Sequence, residues 1–191
     1  MDNPEGEMPY EFLSVETKAR VRTIRLNREQ KRNAKPLVTA VSGPALAGGF
    51  DLALAGDFII ASDTARFGHP EVNFGAAPAL AVLWTRVGLA RAKELAMFDT
   101  TIGAEDALRI GLVNRVVPPG RLFDEAAKVA QALAAKPPAA LRAVKAVARR
   151  IASLELFAGM QFEGEQAAEA LQDPENLRRA AEYFGGLKGG T

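Results

Sequence analysis

The sequence predicts an α/β core followed by a helical C-terminal region. Three observations carry this. Short β-branched runs alternate with helix-period segments as far as Pro118, and only helical periodicity follows from there. A chain of 191 residues, 48% of them hydrophobic, is also long enough to enclose one core. The expected division is therefore an α/β core over 1–118 and a helical region over 119–191.

The elements follow in order. Residues 11–16 and 20–26 are expected to form a hairpin with its turn near Lys18 and Ala19, because Val21 and Thr23 alternate with Arg22 and Arg25. The polar stretch NREQKRNA reads as a loop. Leu37 to Val41 is β-branched and stops at Gly43-Pro44, as a buried strand would. From Ala47 the pattern turns helical, with Phe50, Leu52, Leu54 and Ala55 at helical spacing and a start near Gly48-Gly49. FIIAS (58–62) reads as a strand, and Gly68-His69-Pro70-Glu71 as a loop. Helices are expected over 79–87, 89–98 and 104–110, and a strand over 112–118 closed by Pro118-Pro119-Gly120. The remaining helices are expected over 121–135, 138–150, 152–171 and 174–185, with Pro137 and Pro138 opening the second of them.

Composition excludes several classes of function. Lys and Arg number 24 against 23 Asp and Glu, a net charge of +1, so the basic footprint of a nucleic-acid partner is missing. With no cysteine there is no disulfide framework or thiolate metal site, and one histidine removes His-rich metal centres, so no metal is expected. The opening MDNPEGEMPYEF has neither a basic n-region nor an apolar run, and no stretch of about 18 apolar residues occurs. A cytoplasmic protein without a membrane partner is expected. Its chemistry rests on carboxylates, backbone dipoles or a bound cofactor.

GPALAGGFD is the most informative segment. A strand runs into small residues, and the helix that follows starts at Gly48-Gly49, where free N–H groups and the positive dipole end gather. A phosphate cradle fits poorly: no Lys-Ser/Thr follows the last glycine, and G-x-G-x-x-G is absent. Asp51 would repel a phosphate. It would tolerate a neutral carbonyl that becomes an oxyanion during reaction. The same residues also suit a plainer role, with the glycines permitting close strand–helix packing and Asp51 complementing the helix dipole.

Glu71, in FGHPEVNFG, is the second acid. Pro70 holds His69 extended, and Phe67, Val72 and Phe74 supply apolar flanks that suit a carboxyl exchanging protons near neutral pH. A turn-capping glutamate remains open as the alternative. His69 is expected to cap or pack rather than to catalyse. Trp84 and the phenylalanines are expected in the core, and Arg142, Lys145, Arg149 and Arg150 on a solvated helix face.

GPALAGGFDLALAGDFIIASDTARFGHPEV followed by TIGAEDALRIGLVNRVVP resembles the crotonase, or enoyl-CoA hydratase/isomerase, superfamily. The resemblance runs from about Lys35 to Pro118, and VRTIRLNREQKRNA also resembles the family's opening. It implies a spiral of strand-strand-helix turns whose C-terminal helices complete homotrimers or dimers of trimers. It further implies an acyl-CoA substrate, with coenzyme A as part of the substrate and no separate cofactor. Gly48 N–H would be an oxyanion donor to the thioester carbonyl. Glu71 matches the carboxylate shared by hydratases and isomerases, and Asp51 falls where hydratases carry their second glutamate. Ala47, Gly49 and Phe74 would contact substrate, while Arg32 and Ala34 lie in the segment lining the CoA path. The reaction implied first is hydration of a 2-enoyl-CoA in fatty acid metabolism. Double-bond isomerisation by Glu71 alone and non-catalytic acyl-CoA binding are the alternatives, and a peptidase on the related spiral fold is remote because Ser42 has no nucleophile context.

The sequence departs from the family pattern in places. Gly56 stands where a small Cys, Ser, Thr or Ala is usual. Aspartate at 51 shortens the reach by one methylene, and a misplacement of ~1 Å can cost on the order of 10²-fold in rate. Ala79 occupies the position of the third acid of dienoyl-CoA isomerases, and APALAVLW replaces the usual Gly-Gly-Thr helix start. The largest departure lies at the Ala34–Lys35 junction, where the family's helix, strand and first oxyanion loop have no counterpart. A segment omitted there is the expectation, and a degenerate family member is the alternative. An intact mass of 20.4 kDa for the cellular polypeptide would defeat the omission.

Overall fold

The computed structural model describes residues 13–18, 21–26 and 35–188, with side chains over 35–182. The chain forms two compact units, residues 1–34 and 35–191, and their boundary is the same Ala34–Lys35 junction.

In the first unit β1 (Leu13–Lys18) and β2 (Val21–Leu26) form an antiparallel hairpin, in register from Leu13↔Leu26 to Lys18↔Val21. The first strand runs through Lys18, so pairing reaches closer to the turn than the expected 11–16. The NREQKRNA segment, with Arg32 and Ala34, lies outside the described residues.

The second unit contains two small sheets. β3 (Val38–Val41), β5 (Phe58–Ser62) and β8 (Arg115–Val117) are parallel in the order β3-β5-β8. β4 (Pro44–Leu46) pairs in parallel with β6 (Arg66–Gly68), and β6 pairs antiparallel with β7 (Ile102–Gly103). The first two passes of the chain each lay a strand in one sheet, then a strand in the other, then helix, whereas a helix separates β7 from β8 in the third. α1 (Gly48–Leu54) follows β4. A short 3-10 helix (Pro70–Phe74), α2 (Leu80–Val87) and α3 (Leu89–Met97) follow β6, and α4 (Ala104–Arg109) follows β7. Then come α5 (Leu122–Ala134), α6 (Pro138–Arg150), α7 (Leu156–Leu171) and α8 (Pro174–Lys188).

β5 is the buried spine, with Ile59, Ile60 and Ala61 at 0% exposure. Phe50, Leu54, Phe67, Leu83, Leu95 and Leu112 pack into the same core. Asn114 extends the ladder into β8: its side-chain Oδ1 accepts from Ile59 N–H at 2.8 Å, and its backbone N–H donates to Ile59 O.

Several expectations need correction. β4, β6 and β7 are too short to show a period of two, so the sequence reads their residues as loop or helix approach. The strand expected over 112–118 narrows to three residues because Leu112 and Val113 turn into the core. β3 lies at its sheet's edge among the described residues, and only Val41 in it is fully buried. Leu52 faces outward at 68% exposure, and Ala53 takes the core position instead. Trp84, Phe74, Phe98, Phe123 and Phe157 are exposed, and the buried phenylalanines among the described residues are Phe50 and Phe67. Lys145 is not solvated either: its Nζ pairs with the Asp57 carboxylate, which also accepts from Leu37 N–H at 2.7 Å.

The glycine at 56 has a local cause. A Cβ there would overlap the Thr39 hydroxyl and lie 3.1 Å from the Phe58 carbonyl oxygen, so Thr39 fills the space a side chain at 56 would use. Gly56→Ala is expected to destabilise by about 1–3 kcal/mol, as overpacking does. Thr39→Ala should restore most of the loss in the double variant. Additive losses in urea unfolding would contradict this pairing.

Candidate active site

The site is built by the pairing of β4 with β6. Leu46 lies opposite Gly68, and Ala47 N–H donates to Gly68 O at 3.0 Å, so the ends of two parallel strands leave together. Asp51 comes four residues after Ala47 in the first turn of α1, and Glu71 comes three residues after Gly68 in the 3-10 helix. Two acids twenty residues apart in sequence thereby meet at the carboxyl ends of adjacent strands, where open α/β sheets place ligands.

Both acids face His69. Its ring is 0% exposed and lies against Phe50, centroids 4.8 Å apart and planes tilted by 40°. His69 Nδ1 is 3.3 Å from Glu71 Oε1, and Nε2 is 3.7 Å from Asp51 Oδ1. The first distance is a hydrogen bond; the second is too long for one. Glu71 is the more enclosed acid, 13% exposed against 39% for Asp51. His69 Nε2 and Glu71 Oε2 are buried and meet no hydrogen-bond partner among the described residues. Nor is any group of three carboxylate or imidazole side chains there arranged to hold a metal ion.

The start of α1 is open. Phe50 and Asp51 N–H both return to Ala47 O, at 2.8 and 3.1 Å, while the Gly48 and Gly49 amides meet no acceptor among the described residues. Both glycines are exposed, and a Cβ on either would meet nothing within 4 Å. Ala47 itself is strained, with φ 49° and ψ −128°, a conformation that favours glycine. Ala47→Gly is expected to stabilise the chain by about 1 kcal/mol, a rise of roughly 2–4 °C in Tm. A fall in Tm would show that the turn is not strained.

The expected site residues thus divide. Asp51, Glu71, Gly48, Gly49 and Ala47 gather at one place. Phe74 stands 69% exposed at the end of the 3-10 helix, an open platform rather than an enclosed wall. The 3-10 helix is tied from outside by Asn73 Nδ2, which donates to the Asp99 carboxylate. His69, expected to pack, does pack, but it also joins the two acids. The signal for this lies in His-Pro-Glu: His69 stands immediately before the 3-10 helix whose first turn carries Glu71, so the two side chains are local neighbours.

A groove of about 1090 Å³ lies elsewhere, between α6, α7 and α8. Its walls are Ala143, Val147, Ala167 and Ala170, and neither Asp51 nor Glu71 touches it.

Strand-strand-helix turns that deliver two carboxylates beside an open helix start define a crotonase-fold protein. The enoyl-CoA hydratase from Bacillus anthracis superposes with a TM-score of 0.76 at 30% identity, over 81% of this chain and 61% of that one. The chain belongs to the enoyl-CoA hydratase/isomerase family, whose model matches residues 8–184. It is 45% identical over 133 residues to a probable enoyl-CoA hydratase of Rhizobium meliloti, covering 68% of this chain and 51% of that protein. It is 38% identical over 138 residues to a short-chain-enoyl-CoA hydratase of Clostridium acetobutylicum, covering 71% and 53%. The chain spans about half the length of these curated relatives.

Proposed function

We propose that the chain's site adds water to a short 2-enoyl-CoA. The observation that carries this is the convergence of Asp51 and Glu71, from two different elements, beside a Gly48 amide that has no acceptor among the described residues. The relative named for short-chain enoyl-CoA hydration supports the substrate class. The thioester oxygen would accept from Gly48 N–H, which stabilises the enolate as charge moves onto it. A water held between the acids would deliver its hydroxyl to the β-carbon, and Glu71 would return a proton to the α-carbon, so one water is consumed per double bond. Coenzyme A would enter and leave as part of the thioester, and the carboxylates would supply the proton chemistry without a separate cofactor.

A second oxyanion N–H belongs, in this proposal, to a segment that enters at the Ala34–Lys35 junction. The unit boundary at that junction and the half-length coverage of relatives support it. Removing one oxyanion donor costs about 2.7–4 kcal/mol of transition-state stabilisation. Without the segment, the 191-residue chain should therefore turn over at least about 10²-fold more slowly than a polypeptide that carries it. Assembly into trimers through the C-terminal helices completes the proposal, supported by Leu156, Phe157 and Met160 of α7, each at least 60% exposed. Light scattering on the purified protein tests it, and a monomer would contradict it.

Isomerisation by Glu71 alone has one observation in its favour, the shorter and more exposed Asp51. Asp51→Asn separates the two. Hydration should fall on the order of 10²-fold, the scale of a lost acid–base group, as read from the enone absorbance of a short enoyl-CoA. If hydration survives in that variant, Asp51 is not its base.

A further inference from the structure

We infer that His69 is a positioning residue that donates Nδ1–H to Glu71 Oε1 and so fixes the rotation of the carboxyl that exchanges the substrate proton. The inference rests on the hydration reading for its kinetic consequence, but its geometric core stands apart from it.

Glu71 sits in a five-residue 3-10 helix, and its side chain has three rotatable bonds to settle. Nothing among the described residues holds its carboxyl except the imidazole, 3.3 Å from Oε1. The imidazole is itself fixed. Its ring is fully buried, Phe50 lies against one face, and Pro70 constrains its backbone. One hydrogen bond from a rigid ring therefore sets the rotation of a flexible acid. The neutral ring carries one proton, and a carboxylate can only accept, so the contact with Glu71 selects the Nδ1–H form. Nε2 then presents a lone pair or, in the charged ring, a second N–H toward Asp51 Oδ1, 3.7 Å away. Either form keeps Oε1 occupied. Oε2 is buried and has no partner among the described residues, so the imidazole contact alone fixes how the carboxyl is turned. Asp51 from α1 and Glu71 from the 3-10 helix are the charged groups that face the ring.

His69 is the one histidine among the 191 residues, so the ¹⁵N-histidine-labelled 191-residue chain gives a single imidazole to observe. The expected spectrum shows Nδ1 protonated, with its resonance moved by Glu71→Gln and Nε2 the nitrogen moved by Asp51→Asn. An unprotonated Nδ1, or one indifferent to Glu71→Gln, overturns the inference, and this outcome does not depend on any activity. Kinetics supply the consequence. His69→Phe keeps a ring against Phe50 and loses the donor, so kcat on a short enoyl-CoA should fall about 10²-fold with KM changed less than about threefold, the scale of a misplaced reacting group. His69→Asn restores an N–H near the Nδ1 position and should recover most of that loss. Equal losses in both variants, or a loss confined to KM, would assign His69 to packing alone. A wild-type chain with no turnover but a protonated, Glu71-sensitive Nδ1 would remove the hydration reading and leave the positioning contact in place.

Discussion

Under the proposed hydration, turnover of a short enoyl-CoA is expected to fall 10²- to 10⁴-fold when Glu71 becomes glutamine, with the thermal unfolding curve nearly unmoved. The size is that of general acid–base catalysis by one placed side chain. Glutamine keeps the volume of a residue that is only 13% exposed, and its amide oxygen can still accept from His69 Nδ1. What it lacks is an exchangeable acid proton. The loss should therefore appear in kcat, since in the proposed reaction the carboxyl would act in the transition state rather than in ground-state binding. Steady-state rates on the folded variant check this. A variant that turns over at the wild-type rate takes Glu71 out of the mechanism.

Phe50→Ala should cost about 3–5 kcal/mol of stability, the range for truncating a buried aromatic side chain. Phe50 is 0% exposed, its ring centroid 5.7 Å from that of Phe67 and 4.8 Å from that of His69. It stands immediately before Asp51, so the same ring anchors α1 in the core and backs the imidazole that joins the two acids. The variant is expected to lose His69 order as well as global stability. Urea unfolding measures the second effect. A loss below about 1 kcal/mol would mean that the core closes around the gap and that Phe50 is not the anchor described.

What the sequence reveals and what it hides have separate physical causes. FIIAS declares itself because β5 is buried on both faces and reads as one apolar run, and α6 declares itself through Pro138 and its helical period. β4, β6 and β7 have two or three residues each, fewer than one alternation needs to be seen. Yet the pairing of β4 with β6 brings Asp51 to Glu71. The carboxylates themselves are legible as types in small-residue and Pro-containing contexts. Their meeting is not, because it depends on strand register across twenty residues. The reach of His69 is hidden for the same reason: its contact with Glu71 is local, but the one with Asp51 comes from another turn of the chain. The exposed Phe74, Phe157 and Trp84 defeat any reading from hydrophobicity alone, which cannot tell a core face from a surface that another body covers.

The most direct test of the central claim uses isotopes. A short 2-enoyl-CoA incubated with the full-length protein in D₂O, with the product weighed by mass spectrometry, distinguishes three outcomes at once. Hydration through Glu71 predicts a thioester heavier by one deuterated water, with a deuterium retained on the α-carbon, and neither change in Glu71→Gln. Deuterium on carbon without added water would mark an isomerase working through Glu71 alone. A thioester recovered unchanged, although bound, would contradict both reactions and leave an acyl-CoA-binding protein.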